Sequence, residues 1–239
     1  MQEGKAQAGL WADSPSFTMA AHELKAPLAL IRQLAIELEA GEYTALERAV
    51  LAQRITLTAE RALRLTTDLT KARRLENALF TLEAIDAAGL CNEVISELQP
   101  LYRAHNKSLK TQVKSRQRLM VANRDLLRRI VANFADNALH YSADDSSVAI
   151  SVRATDSNQR VRIGVRDFGP AIPARAWRAL RQGLREPLPL HNRPGSSGLG
   201  MFIANEFALA IGAQIGVIRH RDGATFYVDV PASTQLRLL

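Results

Sequence analysis

The chain has 239 residues, a length that suits one large domain or two small ones. Hydrophobic residues make up 47% and charged residues 23%, the balance of a folded soluble chain, and 5% aromatics leave no stacking platform for bases. The net charge of +7 would suit a polyanion, but there is no zinc-finger spacing or aromatic-basic interleaving, so the charge reads as basic surface and no nucleic acid is expected.

One cysteine, Cys91, excludes an intrachain disulfide and a cysteine-rich zinc site. Its flank GLCNEVI reads as a helix start with a buried thiol, and a reducing compartment fits. No run reaches the length of a membrane span. The opening MQEGKAQAGLWADSPS lacks the basic-then-apolar order of a signal peptide. The expectation is a soluble chain, or the soluble part of a membrane-anchored one.

Asp13 to Ala40 reads as one helix, with Ser14-Pro15 as its start. Leu24, Leu28, Ile31, Ala35 and Leu38 follow a three-four spacing that predicts a packed seam. Gly41 breaks it. A second helix is predicted from Thr44 to Leu75, with Leu51, Ile55, Thr58, Ala62, Leu65, Leu69 and Ala72 in heptad register. Two long helices joined by a short turn make an antiparallel hairpin. A lone hairpin buries too little, so a homodimeric four-helix bundle is expected.

The composition changes after Asn77. A strand is predicted over Phe80 to Ile85, then a helix capped by Asp86 and running to His105. Strands follow at Ser108 to Lys114 and Arg118 to Val121, and a helix from Arg124 to Tyr141. Ser147 to Ala154 and Arg160 to Asp167 alternate as strands around the turn Asp156-Ser157-Asn158. Pro170 to Ser197 reads mostly as loop with a short apolar-basic stretch. Gly198 to Ile211 is helical. Ile215 to Arg219 and Ala224 to Val230 form a hairpin around Asp222-Gly223. The fold class is therefore two domains: residues 13–77 an all-α hairpin, residues 80–232 an α/β sandwich with a mostly antiparallel sheet covered by helices on one face.

His22 stands off the predicted seam, about 180° from Ile31 and about 160° from Leu24 at about 100° per residue. That exposes a nitrogen nucleophile. Glu23 beside it can take the proton from one ring nitrogen while the other keeps its lone pair. Pro27 removes a helical N–H, which bends the helix one turn on. Alone, the segment also fits a plain surface histidine. The stretch FTMAAHELKAPLALI resembles the phosphoacceptor box of sensor histidine kinases, His-Glu-x-x-x-Pro-Leu, through His22, Glu23, Pro27 and Leu28. The resemblance implies autophosphorylation of His22 with Glu23 assisting as base. Many relatives carry Thr or Asn where this chain has Ala26, and a methyl group cannot orient a water for phosphatase work.

Three later segments resemble the same family's ATP-binding domain. In LLRRIVANFADNALHYS, Asn133 and Asn137 share a helix face and can offer oxygens to a hard cation or donate from their amides. The family places this pair around Mg²⁺ and the triphosphate, with Asn137 the surer metal ligand. Asp136 reads as surface. His140 stands where the family often has Lys or Arg, and Tyr141 as a nucleotide-side or packing residue. In VRIGVRDFGPAIP, Asp167 can accept from an adenine amino group and Gly169 lets the backbone approach the ring. Ala171 replaces the family's second glycine there, and Ile172 is kept. In RPGSSGLGMFIANEFA, Gly195, Gly198, Leu199 and Gly200 lead into a helix whose free N–H groups suit an anion. Between these segments Arg175, Arg178, Arg181, Arg185 and Arg193 form a basic lid, with Arg193 the first choice for the phosphates.

The resemblance implies ATP and Mg²⁺ as cofactors, a homodimer, and phosphate passed to an aspartate on a response regulator receiver domain. It also implies a cytoplasmic location, with a membrane involved only where the chain is part of a longer sensor. Ala26, His140, Ala171 and the reduced lid keep open an alternative, a catalytically weak ATP-binding scaffold or pseudokinase. A chaperone- or topoisomerase-type ATPase fits less well, because a heptad hairpin with His22 precedes the domain.

Overall fold

A computed structural model describes residues 15–74, 81–112, 119–143, 145–155, 159–181 and 199–233. The chain forms a helical hairpin followed by an α/β domain, the two-part architecture expected from its periodicities. None of the described helices is long and apolar enough to cross a membrane.

The hairpin consists of α1, Pro15–Ala40, and α2, Ala45–Arg74. Pro27 sits inside α1, which continues through it. Gly41 closes α1 by donating to the Glu37 carbonyl at 3.1 Å. A Cβ built there would fall on the Tyr43 ring, so a larger residue would turn that side chain aside. Thr44 and Glu47 then start α2 with a capping box. The Thr44 N–H donates to Glu47 Oε2 at 2.8 Å, and the Glu47 N–H donates to Thr44 Oγ1 at 3.3 Å.

The α1 seam differs from the expected one. Leu34 is the buried residue, with Leu24, Ile31 and Leu38 half-buried beside it. Leu28 and Ala35, predicted to be packed, are exposed. At about 100° per residue Leu34 stands about 80° round the helix from Leu24, on the side opposite Leu28 and Ile36, so the face turned inward is displaced toward Leu34 and leaves Leu28 and Ile36 exposed. In α2, Leu51 and Ala62 are buried, as the heptad required.

The α/β domain has a five-stranded sheet in the order β2-β4-β5-β7-β6. Its strands are β2 (Ser108–Thr111), β4 (Ser147–Ala154), β5 (Arg160–Arg166), β6 (Gln214–His220) and β7 (Gly223–Pro231). Only β2 and β4 run parallel in this sheet. β1 (Glu83–Asp86) and β3 (Leu119–Ala122) pair separately as a two-stranded antiparallel ribbon. Such non-local pairing leaves no trace in local periodicity. Two expected strands are shorter than read, β1 starting at Glu83 and β2 stopping at Thr111, and β3 is shifted by one residue, to Leu119–Ala122.

Helices α3 (Ala87–Ala104), α4 (Arg124–Tyr141) and α6 (Leu199–Ala210) enclose the core against the sheet. Asp86 caps α3 by accepting from Gly89 N at 3.0 Å, and Asn123 caps α4 by accepting from Leu126 N at 3.1 Å. On α3, Leu90, Cys91, Val94, Leu98 and Leu101 make the buried stripe, and burial pushes the Cys91 thiol up to about 12. That thiol is structural. Tyr102 is wholly buried and donates its hydroxyl to the Ala135 carbonyl at 2.7 Å, which ties α3 to α4. In β5, Val161, Ile163 and Val165 point into the core. Arg162 takes the opposite face, where it forks onto Asp229 at 2.6 Å and lies 3.6 Å over the Tyr227 ring.

The stretch after Asp167, expected to be mostly loop, holds a short helix, α5, Ala174–Arg181. Pro173 supplies its first acceptor, taking the Trp177 N–H at 3.0 Å, and Leu180 is buried in the core. The apolar residues of that stretch are sufficient for two turns of amphipathic helix. The predicted turn at Asp156, Ser157 and Asn158 lies outside the described residues.

A candidate nucleotide site along one helix face

The candidate site runs along α4. Asn133, Asn137 and Tyr141 recur every four residues, so they line one face over about 12 Å at about 1.5 Å per residue. Both asparagines are half-buried. Their Nδ2 atoms are buried and have no hydrogen-bond partner among the described residues. Buried amide donors normally find acceptors, so this pair is suited to an acceptor from outside the protein. At one end of the face, a Cβ built on Gly200 would stand 3.6 Å from Asn133 Oδ1. The first turn of α6 therefore faces Asn133 directly.

At the other end lies Asp167, just past β5 and 4% exposed. Its Oδ1 accepts from Ala224 N at 3.1 Å and from Gly169 N at 3.2 Å. Burial raises its pKa above the usual carboxylate value, and those two backbone donors with Arg166 offset part of the rise. Glycine is required at two neighbours. A Cβ at Gly169 would collide with the Tyr141 carbonyl, and Gly223 combines φ +129° with the Asp167 carbonyl at its back. Tyr141 thus meets the Asp167 loop through its main chain.

Sequence reasoning missed the staples that hold this corner. Lys107 Nζ donates to the carbonyls of Leu139 at 3.0 Å and Ser142 at 2.7 Å, closing the last turn of α4. Ser142 Oγ accepts from Phe168 N at 3.3 Å, and Ala143 N donates to the Phe168 carbonyl at 2.9 Å. The contacts span 25 to 35 residues, so no spacing in the sequence signals them.

Other predicted residues fall as follows. His140 is half-buried, with Nε2 3.7 Å from Asp136 Oδ1 and its ring edge-on to His105 at 6.0 Å. Asp136, read as surface, is instead partly buried, because His140 covers it one turn on. Ile172 is buried in the core at 2% exposure, so it packs behind the Asp167 loop. Arg178 is exposed and donates from Nε to the Ala174 carbonyl. Arg185, Arg193, Gly195 and Gly198 lie outside the described residues, as do the side chains of Leu199, Arg175 and Arg181. His22 and Glu23 are helical in backbone within α1, and their side chains are likewise undescribed. Among the described residues, no three His, Cys, Asp or Glu side chains group as a metal site. A cation on α4 would have to be held by amide oxygens and by the phosphates it accompanies.

Residues 122–234, within the α/β domain, match the family described as histidine kinase-, DNA gyrase B-, and HSP90-like ATPase. Among curated relatives, the adaptive-response sensory kinase SasA of Synechococcus sp. (strain CC9902) is 27% identical over 216 residues, 89% of this chain and 55% of that protein. The histidine protein kinase SaeS of Staphylococcus epidermidis is 29% identical over 200 residues, 82% of this chain and 57% of that protein. The histidine kinase AdeS of Acinetobacter baumannii shares the fold at a TM-score of 0.61 and 18% identity, over 89% of this chain and 98% of that one. Full-length ShkA in complex with AMPPNP shares it at 0.62 and 24% identity, over 95% of this chain and 48% of that one. With a helical hairpin ahead of the matched residues, the chain is similar to sensor histidine kinases over both of its parts. It spans about half the length of the curated relatives it matches.

Proposed function

We propose that this chain binds Mg-ATP along α4, transfers the γ-phosphoryl group to His22, and passes it to an aspartate on a response regulator receiver domain. The observation that carries the reading is the pair of orphaned amides at Asn133 and Asn137, between the Gly200 turn and the buried Asp167. On this reading Asp167 accepts from the adenine amino group, and Gly169 leaves room for the ring. The asparagine amides with Gly195, Gly198 and Gly200 hold phosphate oxygens, together with Arg193. Mg²⁺ would neutralise charge on the phosphates, with Asn137 Oδ1 and then Asn133 Oδ1 as its protein ligands.

In the transfer, a lone pair on one His22 ring nitrogen forms the N–P bond as the bond from the γ-phosphorus to the ADP oxygen breaks. Glu23 takes the proton from the other ring nitrogen. The protein's work is positioning and charge neutralisation. Residues 13–77 would serve as the dimerisation and phosphoacceptor unit and residues 80–232 as the catalytic unit, in the cytoplasm. Likeness to the complex of histidine kinase ThkA with the response regulator protein TrrA, TM-score 0.61 at 16% identity, supports the fold such a partner would meet.

The test is incubation with γ-labelled ATP and Mg²⁺ beside His22→Ala. Acid-labile, alkali-stable label in the parent alone is expected. Unlabelled protein that still binds ATP would overturn the reading in favour of an ATP-binding scaffold, which the engagement of His140 with Asp136 favours.

A further inference from the structure

The hairpin and the ATPase domain meet along α2. It rests on α6, and Leu57 and Leu65 pack half-buried against the domain's core. Two sets of charges cross this seam. Asp68 of α2, 7% exposed, pairs with Arg129 of α4. One turn earlier, Arg64 stands 3.8 Å from Glu97 Oε1 of α3, and Glu97 Oε2 pairs with Arg128 of α4. The charges alternate along the seam, so only one register of α2 against α3 and α4 satisfies both sets.

Arg129 lies one turn before Asn133, on the α4 face that carries both asparagines. The hairpin therefore grips the helix that lines the candidate nucleotide site.

The energetics favour a reversible grip. Docking takes both Asp68 and Arg129 out of water, and that desolvation lowers the pKa of Arg129. The pair is not a two-pronged fork: Asp68 Oδ1 meets one terminal guanidinium nitrogen, and Arg129 Nε forms no hydrogen bond among the described residues. A buried ion pair of this quality recovers little beyond what it loses in hydration, while a single buried charge without its partner is strongly unfavourable. Undocking returns both charges to water together. Such a pair penalises a misaligned pose far more than an open one.

We propose that Asp68–Arg129, with Arg64–Glu97–Arg128, is a charge-registered latch that holds the ATPase domain in one pose against α2 and opens as a unit. The latch stands independently of the nucleotide reading. Its consequence for catalysis, that pose and nucleotide binding are coupled through α4, rests on that reading.

The test uses the full chain without nucleotide, with small-angle scattering as the readout. Asp68→Arg and Arg129→Asp each place like charges across the seam. Each is expected to raise the radius of gyration with circular dichroism unchanged. The double exchange, Asp68→Arg with Arg129→Asp, restores the attraction and is expected to return the radius toward the parent value. Folded single variants that scatter like the parent would overturn the latch, as would a double exchange as expanded as the singles. Should a reversal fail to fold, Asp68→Asn with Arg64→Gln removes attraction without adding repulsion. Expansion of that variant supports the latch, and an unchanged radius overturns it. These outcomes do not depend on phosphorylation, so failure of the kinase reading stays separate. With ATP binding established by titration calorimetry, a change in affinity in the single variants that the double exchange reverses would support the coupling.

Discussion

The two halves of this chain satisfy their apolar residues in different ways. The α/β half closes on itself: Leu90, Phe134, Ile163, Phe207 and Val228 are all within 1% of complete burial, and its helix faces meet one sheet. The hairpin does not close. Leu28, Ile36, Val50 and Leu63 are 58%, 50%, 48% and 68% exposed, while Leu34 and Leu51 carry its internal seam. A pair of helices has two sides, and one copy can cover only one of them. The contrast supports the proposal that the hairpin is half of a larger bundle, with the α/β domain a complete unit.

The sharpest way to break the complete half is through its centre. Phe134 is fully buried, 6.1 Å from the Phe226 ring, between α4 and β7. Phe134→Ala should cost about 3–5 kcal/mol through lost transfer energy and the cavity left behind. Chemical denaturation followed by near-ultraviolet circular dichroism would read this loss. A cost under about 1 kcal/mol would mean the core collapses around the gap.

The incomplete half should respond to charge on its outer stripe. Ile36→Glu with Leu63→Glu leaves the internal seam untouched. Each side chain forfeits about 1.5–3 kcal/mol of burial if a second copy covers it. Light scattering after size exclusion should show a dimeric parent and a monomeric variant, with the ATPase domain's melting transition unchanged. A variant that remains dimeric would place the self-association elsewhere on the chain.

The same contrast explains how far the sequence could be read. Where residues close in sequence supply both partners of a contact, local pattern was sufficient. The α4 boundaries, Arg124 and Tyr141, were predicted to the residue, and Asp86 was identified as a cap. Where the partner is distant, pattern was silent. The pairing of Ile85 with Met120 and the Lys107 grip on Leu139 and Ser142 join segments about 35 residues apart. The α1 seam differs from the expected one because three-four spacing marks an apolar face only broadly, and the contact with α2 is centred on its Leu34 edge. At the candidate site, Asn133, Asn137, Asp167 and Gly169 were legible as motifs. That Gly169 is required by the Tyr141 carbonyl, and that both amides lack partners, emerges only in three dimensions.

The smallest effect lies at the hairpin turn, where a local signal was present and went unread. Thr44 and Glu47 have the T-x-x-E form of a capping box. The Thr44 backbone and hydroxyl donors hold the Glu47 pKa below its ordinary value. A carboxyl group lowered in the folded state adds stability above its unfolded pKa, near 4.5. That contribution fades as pH falls through the folded value. Thermal melts of the hairpin between neutral and acid pH should therefore show a small loss at the acid end attributable to this pair. Glu47→Gln should lower the neutral-pH melting temperature slightly and flatten the acid dependence, and Thr44→Ala should do the same by removing a donor. Both glutamate oxygens and the threonine hydroxyl are exposed, so salt screens the charge part of the effect but not the hydrogen bonds. An acid dependence identical in parent and Glu47→Gln would mean that the turn is held by Gly41 and Tyr43 alone.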